Sequence, residues 1–152
     1  MVQNVDLYPT FVQLAGDTST ASIEGHSLVP LLHPAMTTSP WRTVALVEHQ
    51  RSNNPADPDF EGGGSNPTTY EAIRISAEHL PGFTGPVEAV YVEYKNPQHE
   101  TEYYDIRRDP VERSNIAHDL TAGQHLELHE ILSALEVCHT QTTCWSAGLP
   151  AQ

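Results

Sequence analysis

The residues of this chain best suited to chemistry are its two cysteines and nine histidines. Cys138 and Cys144 enclose His-Thr-Gln-Thr-Thr, which is neither the Cys-x-x-Cys of a redox pair nor a usual zinc spacing. The pair can close a small disulfide ring or remain as free thiols. His125 and His129 stand one helical turn apart, with Glu127 and Glu130 beside them. That spacing can bind a metal, but no third ligand is evident, so the pair reads as histidines on an exposed helix face. His26, within Gly25-His-Ser-Leu28, reads as a local hydrogen-bonding residue. His49 and Arg51 open a long polar loop, and on spacing alone they are ordinary loop residues. Asp57, Asp59 and Glu61 offer acidic oxygens there, without the glycine and terminal glutamate of an EF-hand loop.

Composition limits the partners. The chain has 152 residues, enough for one domain with a real core. Its hydrophobic share is 38%, with 12 prolines and 9 glycines, which predicts a modest core and much loop. The formal net charge is −13 and Lys95 is the only lysine. Nucleic acid needs clustered Lys and Arg, so it is excluded as a partner. Simple attraction to anionic lipid or to a highly sulfated polymer is disfavoured for the same reason. No apolar run is long enough to span a membrane, and Met1–Ala15 lacks the pattern of a signal peptide.

Periodicity then supplies the elements that must position these residues. Asn4–Gly16 reads as a helix: Leu7, Phe11 and Leu14 share a face, Pro9 sits near the first turn and Gly16 offers a left-handed stop. Trp41–Gln50 reads as a strand, its alternate faces grouping Val44, Leu46 and His49 against Ala45, Val47 and Gln50. Arg51–Thr69 is a long surface loop containing Gly62–Gly64. Tyr70–Ile75, Ala89–Tyr94 and Glu102–Ile106 are further strands, and no helix lies between them. That order argues for an antiparallel sheet. After the last strand, Asp109, Pro110 and Glu112 carry the marks of a capped helix start. Gln124–Val137 is the last long helix, with Leu128, Ile131, Leu132 and Leu135 on one face suited to cover the sheet.

Several passages, in order, resemble the C-terminal end of sulfatases, nearest the glucosamine-6-sulfatase-like group. Asp6-Leu-Tyr-Pro-Thr10 with Ala15-Gly16 resembles the helix that closes the family's catalytic domain. Gly25-His-Ser-Leu-Val-Pro-Leu-Leu32 resembles the turn and short helix that follow. Tyr104-Asp-Ile, Asp109-Pro-Val-Glu and Asn115-Ile-Ala117 resemble a passage after the last strand of the small C-terminal subdomain. Trp41–Glu48, Tyr70–Arg74, Tyr91–Tyr94 and the two cysteines after the last helix extend the likeness over nearly the whole chain. The sequence is accordingly read as the C-terminal region of a sulfatase (arylsulfatase or N-acetylglucosamine-6-sulfatase-like).

The resemblance implies an α+β fold of the alkaline-phosphatase-like superfamily. A small four-stranded antiparallel sheet is packed by a C-terminal helix and preceded by an N-terminal helix. Residues 1–35 would end the catalytic domain and 36–152 would form the C-terminal subdomain. Sulfatases use a formylglycine in a Cys/Ser-x-Pro-x-Arg motif, together with a divalent cation, usually calcium, held by Asp and Asn. Thr38-Ser-Pro-Trp-Arg42 has the Pro and Arg spacing but Thr at the modified position, and it runs straight into a strand. It is read as a chance match, with Arg42 a solvent or salt-bridge residue. No catalytic or metal residue is therefore assigned to this chain.

By the same resemblance, His49 and Arg51 are candidates for the rim of the substrate cleft. The missing catalytic domain is the implied partner, with a sulfated carbohydrate as implied ligand and self-association expected through the N-terminal helix. A bridged Cys138–Cys144 pair, with the family, would suggest an extracellular or periplasmic setting. The alternative is a stand-alone, non-catalytic module that binds a carbohydrate or a partner.

Overall fold

A computed structural model of the chain describes residues 1–17, 23–33, 40–52, 54–58, 60 and 68–149. Four strands, β1 (Val44–His49), β2 (Tyr70–Ala77), β3 (Val87–Tyr94) and β4 (Thr101–Asp105), form one antiparallel meander in that order. The long register of β2 on β3, from Tyr70 opposite Tyr94 to Ala77 opposite Val87, makes this pair the spine of the sheet. The expected α+β fold, with four antiparallel strands and no intervening helix, is what forms.

Alternation along each strand decides which face is buried. Val44, Ile73, Ile75, Ala89, Tyr91 and Tyr103 project to one side and are buried. The helix α3 (Ala122–Glu136) lies on that side with Leu128, Ile131, Leu132 and Leu135 buried against them. Burying each of those four side chains contributes roughly 1.5–3 kcal/mol before the entropy of ordering the helix is counted. The helix begins two residues ahead of the expected Gln124 because Gln124 serves in the cap. The Thr121 hydroxyl accepts from the Gln124 N–H, and the Gln124 side chain accepts from the Thr121 N–H.

The N-terminal segment folds as a 3-10 turn (Asn4–Asp6) running into α1 (Leu7–Leu14), and Gly16 ends it with φ +81°. A four-residue helix, α2 (Val29–Leu32), follows. Gly25 lies against the backbone of Val5 and Asp6, where an added Cβ would sit 1.9 Å from the Val5 carbonyl oxygen. Only glycine permits that approach. Much of α1 faces outward: Phe11 is 64% exposed and Leu14 60%, with Leu7, Tyr8 and Leu32 exposed beside them.

Three expectations need correction. No helix starts at Asp109. Glu112 takes φ +53°, outside the helical region, and the Asp109 carboxylate accepts from the N–H groups of Arg113 and Ser114 to close a turn. His49 does not share a face with Val44 and Leu46, because period-2 alternation places it with Ala45 and Val47. The tail is more than a ring, since Gln141–Ala147 forms a further helix, α4, capped by Thr140. Thr38, Ser39, Asp59, Glu61 and Gly62–Gly64 lie outside the described residues.

Candidate functional site on the open face of the sheet

The face of the sheet opposite α3 is a shallow cavity of about 540 Å³. Val47, Ala72, Val90 and Val92 make an apolar floor, and three tyrosines at strand ends rise from it. Register brings Tyr70 opposite Tyr94 and His49 opposite Tyr70. The His49 ring stacks on Tyr70 with centroids 5.2 Å apart, and Tyr70 meets Tyr94 edge-on at 5.8 Å. Across the sheet, Glu102 on β4 receives both neighbouring hydroxyls. Tyr104 donates to one carboxylate oxygen at 3.0 Å and Tyr94 to the other at 3.3 Å.

These hydroxyls stay protonated well into alkali. Burial raises the Tyr94 hydroxyl, and the negative Glu102 adds to it. Tyr104 is pushed up to about 12, first by burial and then by its hydrogen bond to Glu102. Arg74 also lines the cavity, but its guanidinium is engaged at the far end. It donates to the Ala89 carbonyl at 3.1 Å and lies 3.5 Å from the Glu88 carboxylate. The face therefore offers aromatic surface, hydroxyl donors and a fixed carboxylate.

Of the two rim candidates, His49 stands at the edge of this face and Arg51 just beyond it. His49 Nε2 is buried without a hydrogen-bond partner among the described residues. The Arg51 side chain is exposed, and its backbone N–H donates to the Thr69 hydroxyl at 3.1 Å. Residue types alone did not disclose the gathering of Tyr70, Tyr94, Glu102 and Tyr104. Their sequence signal was only that of strand formers, and the available clue was the shared parity of Glu102 and Tyr104.

A second cluster joins the N-terminal segment to β1. The Asp6 carboxylate, fully buried, pairs with Arg42 and also accepts the N–H groups of Gln3 and His26, each at 2.8 Å. Arg42 is thus a buried salt-bridge residue. The His26 ring is not the expected local hydrogen-bonding group: its Nδ1 is buried without a partner among the described residues, and the ring stacks on Trp145 at 4.1 Å with the edge of Trp41 at 5.9 Å. Burial lowers the His26 pKa, and the Arg42 charge lowers it further.

Cys138 and Cys144 form a disulfide, joining the end of α3 to α4. This bridge holds the helix that carries Trp145, and Gln141 of the same helix donates to the Gly25 carbonyl at 3.0 Å. His129 engages the Glu93 carboxylate at 2.9 Å, while His125 Nε2 lies 3.1 Å from the Ala117 carbonyl. Among the described residues, no group of three or more His, Cys, Asp and Glu is placed to hold a metal ion. No described helix is long and apolar enough to cross a membrane.

Comparison with known proteins agrees with the resemblance read from the sequence. The chain is 26% identical over 165 residues to the N-acetylglucosamine-6-sulfatase of Homo sapiens, and equally to that of Bos taurus. Each match covers 98% of this chain and 28% of the relative. The Capra hircus enzyme of the same name is 25% identical over 158 residues, covering 93% of this chain and 27% of that protein. Among solved structures, BT4656 in complex with its substrate D-glucosamine-2-N,6-O-disulfate is 27% identical, with a TM-score of 0.60. That match covers 86% of this chain and 23% of the other. The chain spans about 28% of the length of the curated relatives it matches. No family model matches it.

Proposed function

From the chain's likeness to the C-terminal region of sulfatases, we propose that it is the C-terminal portion of a sulfuric ester hydrolase. Residues 1–35 end the catalytic domain and residues 36–152 form the C-terminal subdomain. By itself the chain is catalytically incomplete. Its work is structural: it completes the enzyme's core and lends His49 and Arg51 to one rim of the cleft for a sulfated carbohydrate. The formylglycine and the divalent cation, usually calcium, belong to the catalytic part, and no step depends on a metal held here.

The observation that carries this reading is the outward face of α1. A helix with Leu7, Tyr8, Phe11 and Leu14 all substantially exposed leaves apolar surface of the kind a partner normally covers. On a chain matching about 28% of its relatives' length, a catalytic domain is the partner that fits it. The same surface supports self-association of the chain when that domain is absent.

Sequencing the DNA upstream of the Met1 codon, in the same and neighbouring frames, tests the reading. The expected finding is an open frame with Cys/Ser-x-Pro-x-Arg and acidic metal ligands. A start signal at Met1, with no such domain encoded nearby, would overturn it and leave a stand-alone binding module.

A further inference from the structure

The open face of the sheet gathers Tyr70, Tyr94 and Tyr104 with the carboxylates of Glu102 and Glu112. Glu102 is held on both oxygens by tyrosine hydroxyls, so its position is set before anything arrives. Each carboxylate oxygen retains a lone pair for a further donor. Glu112 lines the same cavity, and among the described residues neither it nor Glu102 forms an ion pair. Arg74, the one cation of the lining among the described residues, lies on the same face and is paired with the Glu88 carboxylate at 3.5 Å. The chain as a whole carries −13. Tyrosine rings beside a fixed carboxylate, over an apolar floor, are the elements that recognise an organic cation. A volume of about 540 Å³ suits a small molecule.

We propose that this face binds a small organic ammonium ion, with the cationic head on Glu102 between Tyr94 and Tyr104 and the body against Tyr70 and Val47. The charge complementarity is local to this chain. Two sources share the chemistry, a quaternary amine and an amino sugar bearing a free ammonium group.

Isothermal titration of the full chain with two matched pairs tests the proposal. Choline is compared with its neutral analogue 3,3-dimethylbutan-1-ol, and glucosamine with glucose. At least one charged member should bind tenfold or more tightly than its neutral partner, and the better pair identifies the source. Glu102→Gln should abolish that preference, while Glu130→Gln on the outer face of α3 should retain it. Equal binding within both pairs, or no binding at tens of millimolar, would overturn the proposal. So would a charge preference that survives in a folded Glu102→Gln protein. The wild-type chain gives a reading that needs no variant. Nuclear Overhauser contacts from the preferred ligand to the rings of Tyr94 and Tyr104 are expected, and contacts confined to other residues would refute the site.

Discussion

The carboxylate of Asp6 and the guanidinium of Arg42, 36 residues apart in sequence, meet as a buried ion pair that fastens the N-terminal segment to the first strand. Asp6 also accepts the N–H of His26, so three separate stretches converge on one carboxylate. Removing either partner would strand the other charge away from water. Asp6→Ala is expected to lower unfolding free energy by about 3–5 kcal/mol. Arg42→Met should cost a comparable amount. The double variant should lose clearly less than the sum, and urea unfolding of all four proteins measures the difference.

Gly25 makes a steric demand that no side chain can meet. Because a Cβ would overlap the Val5 carbonyl, Gly25→Ala must push the two segments apart. A loss of about 1–3 kcal/mol, or more, is expected. His26 and Trp145 should separate with it, and near-ultraviolet circular dichroism of the tryptophans reports that change. An unchanged tryptophan signal and midpoint would mean that the close approach is not kept in solution.

The Cys138–Cys144 bridge closes a short loop, so its contribution is modest. Replacing both cysteines with serine should cost about 2–2.5 kcal/mol on the chain-entropy model. The loss should be concentrated at α4, where hydrogen exchange of Gln141–Ala147 is expected to accelerate. The α3 core, held by Leu128 and Leu132, should stay protected.

The stacked His26 makes stability dependent on mild acid. Burial and Arg42 hold its folded pKa below the ordinary 6.5, so the unfolded chain binds a proton first as pH falls. This part of the stability is fully present above about pH 6.5 and declines as pH drops toward the folded value. His26→Phe should remove the decline while keeping the stack on Trp145. Thermal midpoints of both proteins across pH 7 to 5 provide the check.

The outward face of α1 predicts concentration-dependent association of the isolated chain. Sedimentation velocity should show species larger than the monomer, and Phe11→Glu with Leu14→Glu should shift the distribution to monomer. A wild-type chain that is monomeric at all concentrations, and binds no apolar dye, would contradict this.

Local chemistry alone determined a good part of the molecule. The β-branched and aromatic residues of Trp41–Gln50, Tyr70–Ile75 and Ala89–Tyr94 specify strands. The turn of Leu128, Ile131, Leu132 and Leu135 specifies the helix that covers them. Gly16 marks a helix end because few other residues take a positive φ without strain. These signals reach only a few residues along the chain, so they name elements and buried faces.

Other features arise from meetings across long separations, and only the tertiary structure decided them. Asp6 found Arg42, His26 entered a stack with Trp145, and sheet register set His49 on Tyr70 and Tyr94 beside Glu102. At Asp109 the cap signal was present, but Glu112 turned left-handed and the chain went back toward β4, where Asn115 accepts the N–H of Tyr103. Helix-start residues favour a conformation by roughly 1 kcal/mol, which a network of tertiary hydrogen bonds can outweigh.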